Sequence, residues 1–140
     1  RNYDIKFAKI NRYMFDVQSM GRMKLESKVI ELMESYLDGK LVIVAVTQAM
    51  MKELGVSMEE LEGFAPLTIR LEDTEVGIPM REREDGVFKC SLRSADEVNV
   101  SEICQTVGGG GHAKAAGCTI EGTLEEAKNT LIAAVERALA

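Results

Sequence analysis

Residues Leu41-Val42-Ile43-Val44-Ala45-Val46 form an unbroken apolar run rich in β-branched side chains. A strand without polar alternation has no face to offer to water, so it reads as a strand buried on both sides. That need for cover on two sides constrains the fold more than any other stretch of the chain. The 140 residues are the length of one ordinary domain, and 46% of them are apolar, enough to bury a real core.

The flanking patterns fill in the layers. Residues 1–20 fit no period cleanly and read as an extended tether to a partner domain. From about Lys24, Leu25, Val29, Leu32, Met33 and Tyr36 share one helical face, and Asp38-Gly39 ends that helix with Gly39 as its C-cap. Thr47 caps a short helix from Gln48 to Leu54 that Gly55 stops, and Ser57-Met58-Glu59-Glu60 has the capping-box spacing of another. Leu67 to Leu71 and Val76 to Glu82 alternate roughly as strands do, with Pro79 favouring an edge position or a bulge. Asp85-Gly86 is a two-residue hairpin signal. In the returning strand, Val87, Lys89, Ser91 and Arg93 share one face, while Phe88, Cys90 and Leu92 share the other. Ser101 can cap a helix to about Thr106, and Cys118 to Glu121 reads as a last strand. Thr123-Leu124-Glu125-Glu126 is a second capping box, opening a terminal helix with the stripe Leu124, Ala127, Leu131, Val135 and Ala138. The class is α+β: a mixed β-sheet packed with helices.

Charge and rare residues exclude several functions. The net charge of −6 argues against broad electrostatic capture of duplex DNA, though not against a local pocket for a phosphate. One histidine rules out a His-rich dinuclear centre within this chain, and Cys90, Cys104 and Cys118 lack zinc spacing. No metal ligand set is therefore assigned. Neither a Ser-His-Asp order nor a Gly-x-Ser-x-Gly elbow supports nucleophilic catalysis. The odd, well-separated cysteines read as reduced thiols of a cytoplasmic protein, with Cys90 and Cys118 as small core residues. No apolar run has the length of a membrane span. A start without initiator Met or signal sequence reads as a piece of a longer chain.

The stretch that carries chemistry is Gly108-Gly109-Gly110-Gly111-His112-Ala113-Lys114-Ala115-Ala116-Gly117. Backbone without Cβ atoms turns freely and lets a ligand approach closely, and its N–H groups can form an anion-binding concavity. Four glycines after a helix can equally be a C-cap and a loose loop. Here, however, they join a helix to a short Ala-rich segment, and Gly117 then lets the chain turn into a strand. A short helix from Ala113 to Ala116 would aim its N-terminal N–H groups at an anion. The Walker spacing is absent. His112 abuts the glycines, placed to hydrogen-bond a phosphate oxygen or a base. Lys114 either adds charge or is simply solvated. Arg93-Ser94 ends the hairpin strand, where loops gather into sites; an Arg fork matches a phosphate, and a solvated arginine is the equal alternative.

Cys90-Ser91-Leu92-Arg93-Ser94 together with Gly108 to Gly117 resembles the DHH-associated domain, the C-terminal half of DHH-family phosphoesterases. The nearest resemblance is to the nanoRNase and pAp-phosphatase branch, often labelled exopolyphosphatase-like. It covers residues 38–140 and makes residues 1–37 the connection from a catalytic half. It implies that a preceding Asp-His-His domain binds two manganese ions and performs hydrolysis, and that this chain binds no cofactor and holds no catalytic residue. It further implies that Arg93, Ser94, Gly108, Gly109, Gly110, Gly111 and His112 contact substrate phosphate or base. The expected partners are a short RNA or nucleotide phosphate, the chain's own N-terminal DHH domain and a second copy in a homodimer, with no membrane. The same module serving a cyclic-dinucleotide phosphodiesterase, a single-strand exonuclease or a non-enzymatic RNA-binding module stays open.

Overall fold

In the computed structural model, which describes residues 19–140, the apolar run becomes strand β2 (Leu41–Val46), with every residue buried. Around it lie β1 (Met33–Tyr36), β3 (Val76–Glu82), β4 (Phe88–Ser94), β5 (Gly110–Gly111) and β6 (Ala115–Ile120), in the sheet order β1-β2-β3-β4-β6-β5. β2 and β3 pair in parallel, and the other pairs are antiparallel. The helices are α1 (Met20–Glu31), α2 (Gln48–Leu54), α3 (Met58–Glu62), a 3-10 turn η1 (Ala65–Ile69), α4 (Val100–Gln105) and α5 (Leu124–Leu139). The expected α+β class, a mixed sheet packed with helices, is the observed one.

Both faces of β2 are covered, each by its own core. Leu41 and Ile43 join Ile78, Phe88, Cys90 and Leu92 beneath Ile103 of α4 and Leu131 and Val135 of α5. Val44 and Val46, pointing the other way, meet Leu25 and Val29 of α1, Met51 of α2, Leu61 of α3 and Phe64. Local signals set the helix starts. The side chains of Thr47, Ser57 and Thr123 each accept an N–H three residues on, and Thr123 with Glu126 completes the capping box.

Several sequence expectations are corrected. The first helix does not run on to Gly39. It starts earlier, with Ser19 as its cap, and ends at Glu31. Met33 and Tyr36 then belong to β1, paired from Met33 against Val44 to Tyr36 against Leu41. Asp38-Gly39 is a hairpin turn, with positive φ at Leu37, Asp38 and Gly39. The dipeptide fits a turn as well as a helix end, and pairing to the buried β2 decides between them. Leu67 to Leu71 is not a strand. Pro66 opens η1, and the Thr68 hydroxyl donates to the Ala65 carbonyl at 2.7 Å. η1 sits so close over β3 that a Cβ on Gly77 would lie 2.1 Å from Thr68 Oγ1. Pro79 lies neither on an edge nor at a bulge. The β3–β4 pairing is interrupted at Ile78 and Pro79, where the missing N–H would have donated, and resumes in the same register. Asn99, not Ser101, caps α4, its side chain accepting from Glu102 N at 3.2 Å. The tether expected over residues 1–20 lies, apart from Ser19 and Met20, outside the described residues.

A buried cation ties α5 to the β1 edge. Lys128 is 7% exposed, and its Nζ lies 2.7 Å from Glu34 Oε1, while the Tyr36 hydroxyl donates to Glu34 Oε2 at 2.9 Å. The Lys128 contact, with help from Tyr36, holds the Glu34 carboxyl below its ordinary value. Burial, reinforced by Glu34, pushes the Tyr36 phenol up to about 12. Glu34→Gln leaves Lys128 buried beside a neutral partner and is expected to lower stability by about 1–2 kcal/mol near neutral pH. A depressed carboxyl pKa stabilises the fold above the unfolded carboxylate range, and that contribution is lost as pH falls through the folded value. The urea midpoints of wild type and variant should therefore converge on acidification. A gap that stays constant into strong acid would show that the ion pair is not its source.

Candidate functional site

The glycine run does not form a loose loop. α4 ends in a tight turn where Gly109 N–H donates to Cys104 O at 2.8 Å and Gly108 has φ +86. The chain then enters β5 and doubles back into β6, with Gly110 opposite Gly117 and Gly111 opposite Ala116. His112 and Ala115 exchange backbone bonds of 2.9 and 3.2 Å, closing the hairpin around Ala113 and Lys114. The short helix expected from Ala113 to Ala116 is therefore absent, and no helix N-terminus faces an anion here. Four residues nucleate a helix poorly, and Ala115 and Ala116 instead join a ladder with β4. Gly117 is correspondingly mid-strand, between Ser91 and Gly110, rather than at a turn. The hairpin is tied down by Ser101 Oγ, which donates to Gly111 O at 3.0 Å, and by Val100 N–H, which donates to Ala113 O at 2.9 Å.

The glycines differ in what they do. A Cβ on Gly109 would stand 2.2 Å from Gly117 O and 2.6 Å from Cys118 Cβ. One on Gly111, at φ +148, would stand 2.7 Å from Ala116 Cα. These two glycines are required by the packing of the hairpin, and Gly108 by its φ. At Gly110 a Cβ would meet nothing within 4 Å. Its bareness is not demanded by the fold, and it opens onto solvent.

Strand alternation decides which residues meet. Cross-strand partners point to the same face, so Gly110, Gly117 and Ser91 form one row and Ala115 and Arg93 the next. The His112–Ala115 pair continues the ladder and puts His112 on this face too. Arg93 and His112 thus stand two strands apart, about 10 Å between backbones at the usual strand spacing. On this face η1 stands over Gly77, the register partner of Arg93. His112 is exposed, and Arg93 is half-buried with no carboxylate partner among the described residues.

Two other candidates go elsewhere. Ser94 points to the opposite, core side, 5% exposed, and its Oγ has no hydrogen-bond partner among the described residues. It reaches the hairpin only through its backbone N–H, which donates to Lys114 O at 3.0 Å. Lys114 turns its ammonium to Asp96, donating to the main-chain carbonyl and lying 4.0 Å from the carboxylate. Behind the glycines, Cys90, Cys104 and Cys118 are all buried and unbridged. Contact with Cys118, together with burial, pushes the thiols of Cys90 and Cys104 up. Among the described residues no group of three or more His, Cys, Asp or Glu is arranged to hold a metal ion. Two residues passed over as site candidates, Arg81 and Lys89, are register partners on the same sheet face as Arg93, where Glu62 of α3 meets both and Arg81 is largely buried. The signal for Lys89 was its even spacing from Arg93; Arg81 needed the strand pairing.

This arrangement, a glycine hairpin closing on an Arg-bearing strand, belongs to a known module. The DHHA1 domain model matches residues 38–140. The chain belongs to that family. It is 32% identical over 139 residues to the bifunctional oligoribonuclease and PAP phosphatase NrnA of Thermus thermophilus, covering 98% of this chain and 40% of that protein. An exopolyphosphatase-related protein from Bacteroides fragilis superposes with a TM-score of 0.80 at 25% identity, over 93% of this chain and 38% of its own. The pGpG-specific phosphodiesterase PggH of Vibrio cholerae shares the fold, with a TM-score of 0.55 at 15% identity over 99% of this chain and 51% of its own. The chain therefore spans about two fifths of the curated relative. No described helix is long and apolar enough to cross a membrane.

The glycine geometry gives a paired expectation. Gly109→Ala should destabilise the domain by at least about 1–3 kcal/mol, because backbone at 2.2 Å must move. Gly110→Ala should change stability by no more than about 0.5 kcal/mol. Thermal melts of the two variants decide it, and equal losses would refute the assignment.

Proposed function

We propose that this chain is the substrate-gripping part of a phosphoesterase that acts on short oligoribonucleotides or nucleotide phosphates such as pAp. Residues 38–140 form the gripping unit, and residues 1–37 lead from a catalytic domain. α1 and β1, which precede position 38, pack onto the same sheet. Asp-His-His does not occur in the 140 residues. The metal-assisted step, with manganese in two-metal form, would then fall to the other domain. The observation that carries the reading is Gly110: a glycine the fold does not need, in the row beside the one that holds His112, Ala115 and Arg93.

The chemistry suits a phosphorylated nucleotide. Arg93 offers a planar fork to phosphate oxygens, and His112 offers a ring N–H across the hairpin. The uncovered Gly110 and Gly117 let a sugar or base come down onto the backbone. Two groups held on strands, rather than on a loose loop, fix the phosphate for attack by a nucleophile supplied across a cleft. Ser94 and Lys114 support the hairpin from behind and beside it. Family membership, and a relative named as an oligoribonuclease and PAP phosphatase, support the substrate class.

His112→Ala, Arg93→Gln and Gly110→Ala should each weaken binding of pAp roughly ten-fold or more while the thermal midpoint barely moves. Calorimetric titration beside the melt reads both quantities. Unchanged pAp affinity in all three variants would sink the reading.

A further inference from the structure

We infer that Cys104 and Cys118 are an oxidisable pair beneath the glycine hairpin, which hydrogen peroxide joins into a disulfide that fastens α4 to β6. Three elements bring three thiols into one buried cluster: Cys90 from β4, Cys104 from α4 and Cys118 from β6. The cluster lies on the core side of the sheet, away from Arg93 and His112. Cys118 is its centre, because the thiols of Cys90 and Cys104 both hydrogen-bond to its sulfur. Those contacts pull the Cys118 thiol down and push its two neighbours up, so Cys118 ionises first. The thiolate is the form that attacks an oxidant. Cys118 is also the most accessible of the three, 6% exposed where the other two are fully buried. Bare backbone packs against it: a Cβ on Gly109 would lie 2.6 Å from Cys118 Cβ.

Ladder parity selects the partner of Cys118. Ser94 N–H donates to Lys114 O, which makes that position of β4 against β6 a hydrogen-bonded pair. Cys90 and Cys118 lie four residues along from it on each strand, an even step, so they too form a hydrogen-bonded pair. Their Cβ atoms then stand about 5.5 Å apart, whereas a disulfide takes about 3.5–4.5 Å. Bridging them would drag two ladder strands together. Cys104 sits on a helix, outside the ladder, and Gly109, whose N–H donates to Cys104 O, is the residue pressed onto Cys118. The Cys118 thiolate attacks one peroxide oxygen, the O–O bond breaks, and the other oxygen leaves as water with the proton that Cys118 gave up. The Cys104 sulfur then attacks the sulfenic sulfur, the S–O bond breaks, and a second water carries away the Cys104 proton. Two thiols become one disulfide, and one peroxide becomes two waters. The ring so closed runs from Cys104 to Cys118 and contains Gly108 to Gly111 and His112.

The test treats the folded chain with hydrogen peroxide, blocks the remaining thiols with N-ethylmaleimide and maps the tryptic peptides without reduction. Trypsin cuts after Lys89, Arg93, Lys114 and Lys128, so each cysteine falls in its own peptide. Residues 94–114 should be found joined to 115–128, with Cys90 carrying the maleimide. The thermal midpoint should rise by about 5 °C or more, and dithiothreitol should reverse both changes. Cys104→Ala should abolish the link, and Cys90→Ala should leave it. In concentrated urea the selectivity should vanish, because Cys90 and Cys118 are equally far from Cys104 in sequence and chain statistics favour neither. A native product dominated by a link to Cys90, or one as mixed as the product in urea, would overturn the pair. So would a disulfide between two chains, sulfinic acid without a link, or thiols that survive while glutathione in the same solution is consumed.

Discussion

The arrangement of the site depends on how closely β5 lies against β6. Gly109 approaches Gly117 and Cys118 at distances that admit no side chain, and Gly111 does the same at Ala116. That contact turns four consecutive glycines from a floppy connection into an edge strand. Glycine is entropically costly to order, so the close approach has to be offset. The offset comes from the Gly109–Cys104, Ser101–Gly111 and Val100–Ala113 hydrogen bonds and from the thiol cluster packed behind them. Only after the hairpin is pressed flat does His112 stand at a defined distance from Arg93.

Topology explains how each side of the sheet is covered. Each connection covers the strands that it joins. The crossover from β2 to the parallel β3 carries α2, α3 and η1, and these lie on one side, over Val44, Val46 and Gly77. The link from β4 to β5 carries α4, and α5 follows β6; both lie on the other side, over Phe88, Cys90, Leu92 and Ala116. On the first side α3 and η1 reach as far as β4, where Glu62 meets Lys89 and Ser91 lines a pocket with Phe64 and Thr68. An antiparallel sheet tolerates a partly uncovered face where alternation makes it polar, and Lys89, Ser91, Arg93 and Thr119 meet that condition.

Much of this was legible in the residues. The buried strand, the helix caps at Thr47, Ser57 and Thr123, and the two faces of β4 follow from local chemistry that the tertiary structure keeps. The failures share one cause: a local pattern with two solutions, decided by a distant partner. Met33 and Tyr36 fit a helical period, but β2 needed an edge partner and Lys128 needed Glu34. Leu67 to Leu71 alternates as a strand does, but Pro66 and the close seat on Gly77 made it a 3-10 turn. Ala113 to Ala116 has helical composition, but β4 offered a ladder. The site was read one strand at a time, so Arg93 and Ser94 were grouped although adjacent strand residues point to opposite faces. Arg81 became a candidate only once β3 was known to pair with β4.

Under the proposed function, an acidic chain needs its cations to be few and local. At a net charge of −6 the whole molecule repels polyanions, and long nucleic acid gains no general attraction from it. Arg93, Lys89 and Arg81 sit on one face, and only Glu62 counters the last two. On the proposed reading the face contributes placement, and placement is what a catalytic partner across a cleft requires of it.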